Sequence, residues 1–234
     1  MEYTYSTDGY KPKKIYNNII KRCVDLIVAL ILAVCLSPVY IVIAIIIKLD
    51  SPGPVFYRGV RCGRYGKPFR IFKFRSMVAN AEKCGGGTTA LNDARITKSG
   101  NFLRKCKLDE IPQLFNIIKG DMSFIGPRPE LLQYTDAYIG DEKLILDVRP
   151  GITDMSSIEF ISLDEMVGSE NADEIYEKLV LKKKNALRIK YVTEQTMWLD
   201  VKLFFSTVGG VISKAFRVIF GGETTVSDNE SKSI

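Results

Sequence analysis

Two adjacent acidic residues, Asp109 and Glu110, are the strongest candidates for chemistry in this chain of 234 residues, which contains no histidine. Without histidine there can be no Ser-His-Asp triad, no H-E-x-x-H zinc site and no histidine general base. Catalysis must therefore depend on carboxylates, Lys, Tyr, Cys or a metal ion held by oxygen. Adjacent acids often do no more than interact with a helix dipole, so the pair alone is a weak indication of a site.

Basic residues near this pair favour a phosphate-ester site. They are Lys73, Arg75, Arg95, Arg104, Lys105, Lys107, Lys119 and Arg128. A divalent ion can bridge one of these carboxylates, Glu110 or Asp109, and a phosphate while arginines hold the phosphate oxygens. The carboxylate that the metal does not use can then attack phosphorus. A glycosidase fits less well, because its two carboxylates face each other at roughly 5 to 10 Å, whereas neighbours on a helix point about 100° apart.

The composition indicates one ordinary domain with partners that carry negative charge. Lys and Arg number 33 against 27 Asp and Glu, a formal net charge of +6, and 46% of the residues are hydrophobic. Such a balance suits nucleotides, nucleic acid or an anionic membrane face. The cysteines are odd in number and never spaced C-x-x-C, which predicts reduced thiols facing a cytosol rather than a zinc site or disulfides. They are Cys23, Cys35, Cys62, Cys84 and Cys106.

An apolar run at residues 24–47 is long enough to cross a hydrocarbon core of about 30 Å. Basic residues flank both of its ends, and the positive-inside rule then places both flanks in the cytoplasm. Near the middle, Ser37 and Pro38 interrupt the helix, because proline cannot donate a hydrogen bond to the preceding turn and its ring clashes there. We therefore predict a re-entrant helix hairpin, with a kinked ordinary span as the alternative.

Two further places are expected to meet the membrane. Asp25 lies one turn inside the apolar edge and fits an interfacial position near Lys21 and Arg22 rather than the bilayer centre. Residues 189–220 mix apolar and basic side chains, which predicts amphipathic helices lying on the bilayer surface.

The remaining patterns predict short elements joined by rigid turns. Residues 55–57 and 69–74 favour a β-hairpin, and apolar residues recur at helical spacing over 98–119 before a glycine stops the pattern. At 126–129 an arginine is held between two prolines, and a second rigid turn follows at 149–151.

Together these elements predict an α+β membrane-associated fold. It comprises an N-terminal re-entrant membrane helix hairpin kinked at Ser37-Pro38, a small β-hairpin, a helical catalytic core and C-terminal interfacial amphipathic helices. We divide the chain into a polar leader at 1–14, the re-entrant helix at 15–49, a cytosolic catalytic domain with interfacial helices at 50–220 and a polar tail at 221–234.

The stretch DARITKSGNFLRKCKLDEIPQLFNIIKGDMSFIGPRPE at 93–130 closely resembles the bacterial sugar transferases, the monotopic polyprenyl-phosphate phosphoglycosyl transferases. The resemblance runs from about residue 15 to 151 and resumes weakly around Tyr191 and Asp200. Its other supports are Lys21-Arg22 with Asp25, the Ser37-Pro38 break, SPGPVFY at 51–57 and KFRSM at 73–77.

This resemblance implies an enzyme that moves a sugar 1-phosphate from a UDP-sugar onto polyprenyl phosphate, such as undecaprenyl phosphate, and releases UMP. The reaction would start cell-surface polysaccharide or glycoconjugate synthesis at the cytoplasmic face of the bacterial inner membrane. Asp109 would be the nucleophile that carries a covalent phosphosugar, and Glu110 would support Mg²⁺. Arg104 and Arg128 match positions that hold phosphate. The chain would be the small, minimal form of the family, and a homo-oligomer stays open.

The chain departs from the family pattern in two places. Asp154 and the residues to 160 replace a pattern that begins with glycine in many members, so the sugar stays open, and Gly59 stands where a glutamine is common. Two other functions remain as alternatives. One is a glycosyltransferase that releases UDP, and the other is a non-enzymatic, membrane-anchored basic module. Nucleic acid is not an expected partner, because the stacking aromatic motifs of single-strand binders are missing.

Overall fold

The computed structural model describes residues 5–79, 81, 93–159 and 180–220. Four cysteines lie in these ranges and form no disulfide there, with Cys62 and Cys106 buried and Cys23 and Cys35 exposed. The predictions that fall outside the described residues concern the first four residues of the leader, Cys84, residue 160 at the end of the divergent stretch and the tail at 221–234.

The described residues form a mixed helical and small-sheet architecture, as predicted. A π-helical turn at Tyr16–Ile20 leads into α1 (Lys21–Cys35) and α2 (Ser37–Asp50). Four short strands follow, β1 (Phe56–Tyr57), β2 (Val60–Cys62), β3 (Pro68–Arg70) and β4 (Lys73–Phe74). The next elements are α3 (Lys98–Lys105), α4 (Gln113–Lys119), β5 (Ser123–Ile125) and α5 (Leu132–Thr135). The last are β6 (Gly151–Thr153), α6 (Met155–Glu159), α7 (Lys182–Glu194) and α8 (Met197–Phe220). Short 3₁₀ turns lie at Arg64–Gly66, Leu108–Glu110 and Gly140–Asp147.

The break between α1 and α2 lies where the sequence predicts it. The two arms, residues 16–35 and 37–50, are bent by 61°. Pro38 lies in the first turn of α2, where its missing N–H costs nothing, and the Ser37 hydroxyl donates to the Val34 carbonyl at 2.8 Å. Within the described residues no single helix is long and apolar enough to cross a membrane, and only this bent pair has the length and composition to do so.

Both arms of the bent pair pack on the body along one side and leave the other side uncovered. Ala29 of α1 and Ile43 and Ile47 of α2 are buried. The uncovered side is apolar and includes Ile27, Ile31 and Val34 of α1 and Ile41, Ile45 and Leu49 of α2.

The β-hairpin is present and contains two nested antiparallel pairs. The outer pair joins β1 to β4, with Phe56 opposite Phe74, and confirms the predicted pairing. The inner pair joins β2 to β3, with Val60 opposite Arg70, and was not predicted. Further along the chain, β5 and β6 pair in parallel, with Ser123 opposite Gly151. The pairing of β5 with β6 places the two predicted rigid turns side by side.

The helical pattern over 98–119 corresponds to two helices separated by a 3₁₀ turn. α3 ends at Lys105, and Lys107 then adopts a left-handed conformation with φ 58°. Pro112 cannot donate to the preceding turn and becomes the N-cap of α4. Gly120 ends α4 with φ 97°, as the predicted stop requires. The acidic pair therefore lies in the connection between two helices and not on a helix face.

The C-terminal region is only partly the surface helix that the pattern predicts. The first helix begins at Lys182, and its Ile189 and Tyr191 are buried in the protein, so residues 189–194 do not form a surface element. The second helix, α8, has one exposed apolar side that includes Met197, Trp198, Phe205, Ile212 and Phe216. A helix with one apolar and one polar side is the pattern of a surface element.

At the start of α1, Lys21 and Asp25 are buried against the body and Arg22 is partly buried. The interfacial position expected for Asp25 stays a prediction. Asp25 accepts a hydrogen bond from the Phe124 backbone N–H at 3.4 Å. Lys21 forms an ion pair with Asp200 of α8, and Arg22 donates to two backbone carbonyls at the end of α4. The start of the apolar segment is thus fastened to the body by polar contacts.

Candidate active site

Asp109 and Glu110 lie in the 3₁₀ turn at Leu108–Glu110 that connects α3 to α4. The left-handed Lys107 immediately before the turn redirects the chain, which packs against β4. Asp109 is only 5% exposed. A carboxylate with so little contact with water has a large desolvation cost unless charges or hydrogen bonds compensate for it.

Glu110 is compensated by two cations. Its Oε1 accepts from the Nζ of Lys73 at 2.9 Å and also forms an ion pair with the Nη2 of Arg128. Burial opposes ionisation of Glu110, but Arg128 and Lys73 outweigh it and hold the pKa of this carboxyl well below its usual range. In return, Glu110 raises the pKa of Arg128. Glu110 is therefore a fixed negative charge that holds two cations beside the turn.

Asp109 is not compensated in the same way. Its Oδ1 is buried and has no hydrogen-bond partner among the residues that the structure describes. Burial raises the pKa of Asp109, the neighbouring Glu110 raises it further, and Lys73 and Arg104 offset this only in part. A desolvated carboxylate oxygen that no donor occupies is available to a metal ion or to an electrophile such as phosphorus.

The structure brings three of the five predicted phosphate-binding residues towards the acidic pair. Lys73 reaches it from β4, and Arg128 reaches it from the rigid turn that follows β5. Arg104, on α3, is near enough to lower the pKa of Asp109 by its charge. The side chain of Arg128 is also held by the Ile152 carbonyl, which accepts from its Nη1 at 2.9 Å.

The other two predicted phosphate-binding residues, Arg75 and Arg95, have different surroundings. The guanidinium of Arg75 is directed at the end of α2, where it donates to the carbonyls of Ser51 at 2.6 Å and Pro52 at 2.9 Å. Arg95 forms an ion pair with Asp93 at 2.6 Å. Both lie near the acidic pair in sequence, but the hydrogen bonds of Arg75 satisfy helix-end carbonyls and Arg95 has its own carboxylate.

A second group of charged residues adjoins the turn that carries Arg128 and was not predicted as a site. It consists of Asp154, Glu130 and Arg188. Asp154 is completely buried and accepts from the backbone N–H of Arg128 at 3.0 Å. Arg188 of α7 pairs with Glu130 at 2.7 Å and lies 3.5 Å from Asp154. The departure from the family pattern at 154 drew attention to one member, but no local signal in the sequence connects Arg188 to it.

The two rigid turns hold each other at very short range. A Cβ atom at Gly126 would lie 2.4 Å from the Arg149 carbonyl oxygen, and one at Gly151 would lie 2.2 Å from the Gly126 nitrogen. No side chain fits at either position, since real Cβ atoms do not approach other atoms so closely. The parallel pairing of β5 with β6 therefore fixes the backbone that carries Arg128.

The acidic pair is also the place where Mg²⁺ would fit. Within the described part of the chain no group of three or more His, Cys, Asp or Glu residues could hold a metal ion. Mg²⁺ is commonly held by only one or two carboxylates together with substrate phosphates and water. The free Oδ1 of Asp109 beside Glu110 meets that requirement, although two cations already share one oxygen of Glu110.

A buried carboxylate with one oxygen left for a ligand, beside a second carboxylate that pairs with two cations, suits the binding of a phosphate ester. A family model described as bacterial sugar transferase matches residues 16–214. The chain belongs to the bacterial sugar transferase family.

Three relatives illustrate the similarity. The chain is 38% identical over 204 residues to the UDP-glucose:undecaprenyl-phosphate glucose-1-phosphate transferase of Escherichia coli (strain K12). The matched region covers 85% of this chain and 42% of that protein. It is 35% identical to the UDP-N-acetylgalactosamine-undecaprenyl-phosphate N-acetylgalactosaminephosphotransferase of Aeromonas hydrophila, covering 86% and 45%. It is also 35% identical to the uncharacterized sugar transferase EpsL of Bacillus subtilis (strain 168), covering 83% and 88%. The chain thus spans less than half the length of the first two.

Proposed function

We propose that this protein transfers a sugar 1-phosphate from a UDP-sugar to undecaprenyl phosphate or a similar polyprenyl phosphate, and that UMP is the first product. The observation that carries this proposal is the buried, unpartnered Oδ1 of Asp109 beside Glu110 and its two cations. The names of two relatives supply the substrate class, because both are transferases between a UDP-sugar and undecaprenyl phosphate.

The proposed reaction has two displacement steps at the phosphorus atom that bears the sugar. The Oδ1 of Asp109 first attacks this phosphorus, and the bond to the bridging oxygen breaks, so that UMP leaves with that oxygen. The terminal oxygen of polyprenyl phosphate then attacks the same phosphorus and releases the Asp109 carboxylate. One carboxylate can in this way serve a water-soluble donor and a lipid acceptor in turn.

The cations of the site have the task of holding phosphate oxygens. Lys73 and Arg128 already lie together on Glu110, and Arg104 contributes positive charge from α3. Such fixed donors stabilise the charge that develops on phosphate in the transition state. Mg²⁺, when held by Asp109 or Glu110, would neutralise part of the diphosphate charge.

The bent pair of helices is the proposed membrane anchor, and its tethers support a re-entrant arrangement. At its start Lys21 pairs with Asp200 and Arg22 contacts α4. At its end Asp50 accepts from the Ser99 hydroxyl at 2.7 Å. Both ends are therefore tied to one body, which favours placing them on the same side of the bilayer. We propose the cytoplasmic side, with the exposed apolar side of α8 lying at the same surface.

The activity test uses membranes that contain the protein, undecaprenyl phosphate and a panel of UDP-sugars, with the released nucleotide identified by chromatography. We expect UMP for at least one donor and a phosphosugar adduct on the peptide that contains Asp109 when the acceptor is omitted. Release of UDP would instead support the glycosyltransferase alternative, and no turnover with any donor would support the non-enzymatic module. Excess EDTA should stop the reaction if the metal has the proposed role.

The topology test places single cysteines at Pro12 and Val60 in a background in which exposed Cys23 and Cys35 are replaced by serine. A membrane-impermeant thiol reagent should label both positions from the same side of sealed vesicles. Labelling from opposite sides would show that the bent pair crosses the bilayer.

A further inference from the structure

We infer that Asp154, Glu130 and Arg188 form a clamp that positions Arg128 for the phosphates of the donor, with Arg188 of α7 as its central positioning residue. This inference rests on the proposed function and deepens it. It assigns a role to a helix that lies far along the chain from the acidic pair, and to a residue where the chain departs from the family pattern.

The clamp begins with Asp154, which is completely buried beside the turn that carries Arg128. Its Oδ2 accepts from the Arg128 backbone N–H at 3.0 Å. The neighbouring carbonyl of Ile152 accepts from the Arg128 side chain at 2.9 Å. The same short segment thus fixes both the backbone and the guanidinium of Arg128.

Arg188 connects the two acids that flank Arg128. It is 1% exposed, its Nη2 donates to the Oε1 of Glu130 at 2.7 Å, and its Nε lies 3.5 Å from the Oδ2 of Asp154. Glu130 is two residues beyond Arg128, and its carbonyl accepts from the Cys62 N–H at 2.9 Å, which ties it to β2. A displacement of Arg188 would therefore remove contacts with both acids that flank Arg128.

The charges of the clamp are mutually dependent. Burial opposes ionisation of Asp154, but Arg188 and the hydroxyl of Ser157 hold its pKa below the usual range. Close to Arg188, burial and the arginine charge lower the pKa of Lys184 to about 8. If Arg188 lost its charge, Asp154 and Glu130 would repel each other without the cation between them. Repulsion of this kind would move the turn that carries Arg128.

Asp154 also has an ordinary structural task, and the two tasks can be separated. Its Oδ1 accepts from the Ser157 N–H at 2.6 Å, which caps the short α6. Asparagine is as good a cap as aspartate, so Asp154→Asn keeps an oxygen for the cap at the Oδ1 position. It removes the charge that faces Arg188 and replaces Oδ2, which accepts from the Arg128 N–H, by a nitrogen that cannot accept. A role in helix capping alone predicts no change in this variant.

The deciding experiment is a double-mutant cycle between Arg188 and Arg128 in the membrane-bound enzyme, read as kcat/KM for the UDP-sugar. We expect Arg188→Met to lower kcat/KM at least tenfold, mainly by raising KM for the donor, and Asp154→Asn to lower it about threefold. In an Arg128→Lys background both losses should shrink to less than twofold, because the guanidinium that the clamp positions is no longer present. The control is Arg64→Met, which removes a partly buried arginine that donates to a backbone carbonyl away from the clamp and whose small effect should be the same in both backgrounds.

Equal losses from Arg188→Met in the wild-type and Arg128→Lys backgrounds would overturn the clamp and leave the proposed function intact. Absence of UMP release by the wild-type enzyme would overturn the proposed function and the clamp with it. If Arg188→Met fails to fold, as judged by its thermal transition, Arg188→Lys serves instead. It keeps the charge but cannot bridge both acids, and we expect a loss that again disappears in the Arg128→Lys background.

Discussion

The protein contains two buried groups of charges that differ in how completely they are satisfied. The anchor cluster, formed by Lys21, Tyr191, Gln195 and Asp200, leaves neither oxygen of Asp200 without a donor. Lys21 pairs with its Oδ2, and the Tyr191 hydroxyl donates to its Oδ1 at 2.7 Å and accepts from Gln195 at 3.0 Å. The site cluster, formed by Lys73, Asp109, Glu110 and Arg128, satisfies Glu110 twice and leaves the Oδ1 of Asp109 unpartnered within the described residues.

This difference is what we expect if the anchor cluster is structural and the site cluster has the proposed function. A buried carboxylate oxygen without a donor costs stability, and folding alone gives no reason to keep one. The anchor cluster, by contrast, links the start of α1 to the last two helices through an ion pair and hydrogen bonds. The following experiments test that distinction, beginning with the largest expected effect.

Asp109→Asn should abolish turnover, with a loss of more than about 10³-fold in kcat, because an amide cannot act as the nucleophile. UMP release by the purified membrane fraction measures this. Asp136→Asn, which changes an exposed aspartate, is the matched control and should retain wild-type turnover. If the Asp109→Asn enzyme were active, Asp109 would not be the nucleophile, and the unpartnered oxygen of the site cluster would have no catalytic role.

Asp200→Asn or Lys21→Met should each lower the free energy of unfolding by about 3–5 kcal/mol, because each leaves a buried charge without its partner. The double variant should lose less than the sum of the two. Thermal unfolding in detergent measures the losses, and activity per folded molecule should stay close to wild type. A variant that unfolds normally but turns over slowly would show that the anchor cluster also has a catalytic task.

Lys73→Met should lower kcat/KM by about 10²-fold, the usual effect of removing one donor from a developing phosphate charge. The control is Lys67→Met, an exposed lysine in the same hairpin, which should have little effect. Steady-state kinetics with the UDP-sugar measure both. Similar kinetics for the two variants would place the phosphate away from the site cluster.

The two carboxylates of the site should respond to pH in opposite directions. The folded pKa of Asp109 is raised, so its contribution to stability is complete in acid and is lost as pH rises through that pKa. Asp109→Asn should therefore raise the melting temperature at neutral pH, and this gain should vanish in acid. The folded pKa of Glu110 is lowered, so Glu110→Gln should cost stability at neutral pH and less as pH falls. Melting curves of the wild type and the two variants across about pH 3 to 8 measure these changes. A lower melting temperature of Asp109→Asn than of the wild type at neutral pH would contradict the prediction.

Local signals predicted the local features of the fold. Ser37-Pro38 marks the bend, and Gly120 marks the end of α4, since each residue type restricts the backbone directly. The break before Asp109 was not predicted, because a lysine gives no sign that it will adopt the left-handed conformation of Lys107. Prediction was therefore reliable where one residue type determines the geometry.

Long-range packing decides which of the predicted site residues lie together. Lys73 and Arg128 were predicted and do meet Glu110. Arg75 has the same charge and lies two residues from Lys73, but the nearby end of α2 supplies carbonyl groups that bind its guanidinium. Arg188 was missed because only the packing of α7 brings it to the site. Proximity in sequence thus identified the type of site but not its full membership.

The close contact of Gly126 with Gly151 limits how this protein can change. A Cβ atom at Gly151 would lie 2.2 Å from the Gly126 nitrogen, so even alanine at either position would push apart the two strands whose pairing holds the turn with Arg128. In a saturation library screened for the proposed UMP release, we expect both positions to tolerate nothing but glycine, and no replacement at one position to permit a side chain at the other. A change in the proposed sugar donor must then arise from substitutions at positions other than Gly126 and Gly151.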